Sequence, residues 1–218
     1  MKIDIISDMV CPWCYIGKKN LEAAMAQRPD IDFEVQWFPF QLHPEAPAEG
    51  YNYRESIERK YGKQRIDAMF AQITQVGKAS GITFNLNGIE RGANTLSAHR
   101  LLDFAFRENG STLQNSLIEA LFQAYFCDQR NIGDTDVLST IADTIGMDKD
   151  KVSTYLKSDD GLKEVKQQIT SCQQQGINGV PSFSLEGQFM LSGGQQSEVF
   201  LAAINRLSRK KDGANSAS

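Results

Sequence analysis

The stretch that decides the fold is Ser7-Asp8-Met9-Val10-Cys11-Pro12-Trp13-Cys14-Tyr15, SDMVCPWCY. Two cysteines separated by two residues are ambiguous alone: half of a zinc site, a redox couple or two inert thiols. Their flanks narrow the choice. Upstream, Lys2 to Ser7 (KIDIIS) has the apolar run of a short β-strand. Downstream, Tyr15 to Gln27 puts Leu21, Ala24 and Met25 on one side of a helix, and Arg28-Pro29-Asp30 breaks it. Ile31 to Phe40 alternates Phe33, Val35 and Trp37 with Glu34 and Gln36, the period of a second strand. The pair therefore stands between strand and helix of a βαβ unit, the context that favours redox chemistry.

The chemistry follows from that position. Pro12 fits the first helical position, where its missing N–H costs nothing. Cys11 then lies at the helix N-terminus, where unpaired N–H groups and the helix dipole favour a thiolate. Cys14 is three residues on. At that spacing β-carbons of an ideal helix lie roughly 5–6 Å apart. A disulfide prefers roughly 3.5–4.5 Å, so a small adjustment closes the bond. Cys11 is expected to attack and Cys14 to resolve the mixed disulfide. Trp13 is expected to offer an exposed apolar rim to a ligand. A structural zinc site normally takes four ligands, commonly from paired motifs. No second pair exists, and Cys127, Cys172, His43 and His99 are isolated, so no metal is expected.

Beyond Phe40 the character changes. His43-Pro44-Glu45-Ala46-Pro47 reads as a connector. From Arg54 to Gln175 the chain is rich in helix formers, giving five or six helices without clear strands. Asn94, Ser111 and Asp134 are placed to cap three of them. Strand pattern returns at Val180 to Leu185 (VPSFSL), with a turn at Glu186-Gly187-Gln188, a strand over Phe189 to Leu191, and a final helix over Gln195 to Arg209. The layout is βαβ, a helical block, then ββα. Neither 45-residue end could bury much core alone, so the two ends are expected to share one sheet. That predicts an α/β thioredoxin-like fold with a large all-helical insertion. The thioredoxin-like part is expected over 1–44 and 162–210, the insertion over 45–161 and a disordered tail over 211–218.

In that layout Gly179-Val180-Pro181-Ser182 is the second informative stretch. Proline rarely stands inside a central strand, and one that opens a strand here suggests a cis bond. In thioredoxin-like folds this loop faces the cysteine pair, and the residue before the proline offers backbone groups to a substrate. Ser192-Gly193-Gly194-Gln195 joins the last strand to the last helix. N–H groups there are expected to be able to hold a carboxylate such as one of glutathione, although an ordinary turn explains them equally well.

The 218 residues are 41% hydrophobic with a formal net charge of −4, enough for one large domain and without a basic field to attract nucleic acid or an anionic membrane. No stretch approaches the roughly 18 apolar residues of a membrane span. MKIDIISDMV lacks a signal-peptide pattern. If these ends are native, a cytoplasmic location is expected, where cysteines are seldom structural staples.

CPWC, VPSF and the helical insertion together resemble the DsbA-like thioredoxin superfamily. FPFQLHP (Phe38–Pro44), NTLSAHR (Asn94–Arg100) and LSGGQ (Leu191–Gln195) are similar to its FrnE-like and 2-hydroxychromene-2-carboxylate isomerase branch, which includes kappa-class glutathione transferases. The likeness spans roughly residues 2 to 207. It implies a thioredoxin fold with an inserted helical domain, Cys11 as nucleophile, Cys14 as partner and Pro181 as a cis-proline. Isomerase and kappa members generally carry serine at the position of Cys11 and bind glutathione. This chain keeps both cysteines, which favours disulfide exchange. The second cysteine pair of some FrnE-like proteins is missing, since the last cysteine is Cys172.

The expected activity is thus thiol–disulfide exchange on a protein or small molecule, with substrate contacts from Pro12, Trp13, Val180, Pro181 and Ser192. No bound cofactor is expected, and glutathione stands as a candidate co-substrate. The alternatives are a glutathione-dependent isomerase or transferase and a non-enzymatic binding module. The isomerase branch makes a homodimer an open arrangement. Cys127 and His99 read as packing residues on helices. Cys172 lies near Pro181 in sequence, and His43 is equally a loop or a cleft residue.

Overall fold

A computed structural model of the protein describes residues 1–215. The chain runs β1 (Lys2–Ser7), α1 (Pro12–Met25), β2 (Glu34–Pro39), β3 (Tyr51–Asn52), α2 (Tyr53–Tyr61), α3 (Lys63–Ala79), β4 (Arg91–Gly92) and α4 (Leu96–Phe126). It continues through α5 (Thr135–Thr144), α6 (Lys149–Lys157), α7 (Leu162–Gln174), β5 (Ser182–Leu185), β6 (Phe189–Ser192) and α8 (Ser197–Asn215). The two ends of the chain share one sheet of order β2-β1-β5-β6. β1 pairs in parallel with β2, Ile5 opposite Trp37, and antiparallel with β5, Ile5 opposite Phe183. The alternation in β1 sends its residues to two faces. Ile3 and Ile5 join the main core with Cys14, Phe183 and Phe200, while Ile6 packs with Phe40 and with Cys172 of α7.

Several boundaries differ from the sequence reading. A two-residue ladder, β3 with β4, lies inside the segment expected to be all helical. Its strands are too short to show a period of two. The helices expected from Asn94 and from Ser111 are both present: α4 consists of two helices that meet across a kink at Asn109 and Gly110 (φ 63°, ψ −156°), a conformation suited to glycine. Thr95 rather than Asn94 takes the cap position of α4, and the Asn94 side chain instead accepts the N–H of Leu96. Asp134 caps α5 as expected, accepting the N–H groups of Asp136 and Val137. α8 continues to Asn215, so residues 211–215 of the expected disordered tail are helical, and 216–218 lie outside the described residues. No helix among the described residues is long and apolar enough to cross a membrane.

α4 ties the helical block to the sheet. β2 is an edge strand, and Gln114 of α4 treats it as a further strand would. Its side-chain oxygen accepts the Trp37 N–H at 2.9 Å and its amide donates to the Trp37 carbonyl at 3.0 Å. Asn115 accepts the Trp37 indole N–H at 2.7 Å and donates to the Val35 carbonyl at 3.1 Å. Above this seam Phe122 stacks on Tyr15 of α1, centroids 4.9 Å apart, and meets Trp37 edge-on. Arg100 serves the helices alone. It is buried and donates to the carbonyls of Tyr155, Leu156, Ser158 and Asp160, closing the C-terminal end of α6.

A charged joint also connects α1 to α4. Lys18 is buried, and its ammonium contacts Glu22 and Glu119, while Lys19 also reaches Glu119. Burial opposes ionisation of Glu119, yet the bonds from Lys18 and Lys19 outweigh it and hold the carboxyl below its usual range. A depressed carboxyl stabilises the fold above its unfolded pKa, and that contribution is lost as pH falls through the folded value. Glu119→Gln is therefore expected to cost about 1 kcal/mol at pH 7, a figure kept low because the carboxylate is one-third exposed. The difference between variant and parent should shrink below about pH 4 in urea titrations. A cost that stays constant with pH would contradict this account.

Candidate active site

β1 ends at Ser7, and the chain turns so that the Cys11 N–H donates to the Asp8 carbonyl at 3.0 Å. Pro12 then opens α1, leaving Cys11 as the capping residue in extended conformation. The Cys11 sulfur faces the Val180 carbonyl at 3.7 Å, and the Val180–Pro181 peptide bond is cis. This loop is fixed from behind, since the Pro181 carbonyl accepts the Gly193 N–H at 2.8 Å. Close approach of α1 depends on Gly17. A β-carbon there would lie 2.8 Å from the Phe183 ring and 3.4 Å from the Pro181 ring. Gly194 likewise lets the β6–α8 turn press on Trp13, where a β-carbon would stand 3.0 Å from the Trp13 carbonyl.

Both cysteines are buried, Cys11 at 5% exposure, and they differ in that Cys11 borders a cleft and Cys14 does not. Cys14 is fully buried. Burial first, then the bond and charge of Cys11, push its thiol well above the usual range. The Ser7 hydroxyl and the Asp8 backbone N–H beside it pull the other way. At neutral pH Cys14 is thus a neutral thiol behind Cys11, whereas Cys11 lines an open cleft. Both cysteines are free thiols in this structure.

That cleft has a volume of about 280 Å³. Cys11, Pro12, Trp13 and Val180 line one wall, and Tyr53 of α2 and Phe70 of α3 line the other. Pro181 and Ser192 do not reach it. They line a neighbouring groove of about 550 Å³ that shares Val180. Trp13 is half-buried against the core rather than an exposed rim, because the Gly194 turn covers it. In the turn expected to present free N–H groups, those of Gly193 and Gln195 are already bonded to the carbonyls of Pro181 and Gly193.

Of the isolated residues, His43 lines the cleft and meets Tyr51 edge-on. Burial, then the nearby Lys60, lowers its pKa, so the ring is neutral at pH 7. His99 is buried with Nε2 2.8 Å from the Phe40 carbonyl and 3.6 Å from the Asp8 carboxylate. Cys127 is half-buried at the end of α4, its thiol pushed up to about 11 by burial first and then by Asp128. Cys172 lies under the loop carrying Val180. Sequence reasoning passed over Asp8, Tyr51 and Tyr53. Asp8 is fully buried, and one carboxylate oxygen accepts the Leu42 N–H at 2.7 Å, pinning the cleft wall that carries His43. An acid in an apolar run three residues before Cys11 was the available signal for it. The tyrosines gave none, since only the β3–β4 ladder brings them to the cleft.

A sheet of this topology, with a C-x-x-C pair opening the first helix and a facing cis-proline loop, defines a thioredoxin-fold protein carrying a dithiol site. The match to the DsbA-like thioredoxin domain extends over residues 2–205, and the chain belongs to that family. It is 28% identical over 210 residues to the uncharacterised protein YwbO of Bacillus subtilis (strain 168), covering 96% of this chain and 98% of that one. Among solved structures it is similar to a probable DsbA oxidoreductase from Streptomyces coelicolor. There the identity is 29%, the coverage 94% of this chain and 89% of that one, and the TM-score 0.86. A 2-hydroxychromene-2-carboxylate isomerase shares the fold at 16% identity, with 98% and 99% coverage and a TM-score of 0.71.

Proposed function

We propose that this chain is a thiol–disulfide oxidoreductase in which Cys11 attacks and Cys14 resolves. The observation that carries the reading is the asymmetry of the pair: Cys11 opens onto a cleft beside the Val180 carbonyl, while Cys14 is enclosed behind it. In the reducing direction the Cys11 thiolate attacks one sulfur of a substrate disulfide. That S–S bond breaks, and the departing substrate sulfur takes a proton. Cys14 then gives up its proton and attacks the Cys11 sulfur, releasing the second substrate thiol. Two electrons pass from the pair to the substrate, and Cys11–Cys14 is left as a disulfide. The Val180 backbone lies where it can pair with an extended substrate during the first step. A small thiol such as glutathione restores the dithiol, and the cytoplasm is the compartment in which this cycle runs. Cysteine rather than serine at position 11 favours this chemistry over glutathione-dependent isomerisation.

Alkylation resolved by mass spectrometry tests the asymmetry. With limiting iodoacetamide at pH 7 the native protein should be modified at Cys11 about a hundredfold faster than at Cys14, the difference disappearing in urea. Equal rates in the native state would overturn the assignment.

A further inference from the structure

Opposite Cys11 the cleft carries three phenols, Tyr51, Tyr53 and Tyr61, together with Lys60. They belong together electrostatically as well as by lining. Burial is the main cause that raises the Tyr53 phenol, and its neighbours Tyr51, Cys11 and Tyr61 add to it in that order. Tyr51 is seated by the β3–β4 ladder, its ring lying where a side chain on Gly92 would be, so its position is built into the fold. Lys60 follows one turn of α2 after Ile57, with its ammonium 5.4 Å over the Tyr61 ring. Among the described residues none of the three phenol hydroxyls makes a hydrogen bond to a protein group. Tyr53 is buried as a residue, but its hydroxyl, unlike that of Tyr125, is not enclosed, and it is free to bond what enters the cleft it lines.

What it can bond is set by the chemistry of the four groups. Burial pushes the Tyr51 phenol up to about 12 and raises that of Tyr53, so both remain protonated donors at neutral pH. Lys60 supplies a positive charge, and it is the charged side chain lining this cleft. His43 is neutral there. Asp8 acts on Tyr51 and His43 from behind, one carboxylate oxygen accepting the Leu42 N–H and the other buried without a hydrogen-bond partner. Donors and one cation around a space of about 280 Å³ suit a compact oxyanion and leave no room for a folded chain segment. Because the net charge of the protein is −4, any preference for an anion must arise locally.

We propose that Tyr51, Tyr53, Tyr61 and Lys60 form a carboxylate-recognition site beside the reactive thiol, which selects small disulfides bearing a carboxylate. This rests on the thiol–disulfide reading above and names its substrate class. Tyr53 and Lys60 act as specificity residues. The test is the rate of the first attack by the reduced full-length protein on two aromatic disulfides, followed by stopped flow and assigned to Cys11 by mass. One is 5,5′-dithiobis(2-nitrobenzoate), which carries carboxylates, and the other is neutral 4,4′-dithiodipyridine. The ratio of the two rate constants, anionic over neutral, should fall about tenfold in Tyr53→Phe, the scale of one lost hydrogen bond to a charged group. It should fall about threefold in Lys60→Met, whose charge is partly screened by water. Ratios within twofold of the parent in both variants would overturn the recognition site while leaving thiol exchange intact. A Cys11 that attacks neither disulfide in the parent protein would instead overturn the exchange reading, and the site with it.

Discussion

Replacing Cys14 by serine is expected to stop turnover while the first half of the reaction continues. Cys11 remains in its cleft and still attacks, so a covalent adduct between Cys11 and substrate should build up to one equivalent. Replacing Cys11 by serine should abolish both steps, lowering the exchange rate on the order of a thousandfold or more. The remaining thiol, Cys14, is fully buried, and its enclosure keeps it protonated. Intact-mass measurement after mixing with an excess disulfide separates the two variants: adduct in Cys14→Ser, none in Cys11→Ser. Adduct on Cys14 in the Cys11→Ser protein would reverse the assigned roles. Both substitutions are small and remove no hydrogen bond that supports the sheet, so loss of folding does not confuse the outcome.

Phe122→Ala is expected to cause the largest loss of stability. Phe122 is wholly buried and touches three elements through its ring: Tyr15 of α1 by stacking, Trp37 of β2 edge-on and Phe126 within α4. Truncation removes those contacts and leaves a cavity whose walls are helix and sheet, both poorly able to collapse. The expected cost is about 3–5 kcal/mol. For a chain of this size that corresponds to a fall in melting temperature of roughly 10 °C or more. Urea denaturation with fluorescence from Trp37 would follow it directly. A loss below about 1 kcal/mol would mean that the helical block and the sheet are not coupled through this ring.

The parts legible in the sequence are those with short-range signals. KIDIIS before CPWC and a helix after it led to the βαβ unit, and VPSF at the start of a strand led to the loop that faces Cys11. The shared sheet followed from the inability of either end to bury a core alone. What escaped depends on contacts between residues far apart in the chain. Tyr51 and Tyr53 reach the cleft through pairing with residues 91 and 92, and nothing local announces a two-residue ladder. Trp13 was read as an exposed rim because the turn that covers it lies some 180 residues further on, at Gly194. The turn opened by Ser192 reads as a carboxylate holder from its strand-to-helix position, yet Ser192 lines the neighbouring groove with Pro181 and not the cleft of Cys11.

The Gln114 amide on Trp37 has a consequence for how copies of this chain meet one another. A sheet edge with unused N–H and C=O groups invites a strand from another molecule, the first step of domain exchange and of fibre growth. At β2 the invitation is withdrawn, since the groups of Trp37 are occupied by a side chain anchored in a buried helix. The opposite edge, β6, has no such cover from α4, and Met190 stands more than half exposed upon it. Strand addition is therefore opposed on the side of the helical block, where the edge groups of Trp37 are already taken.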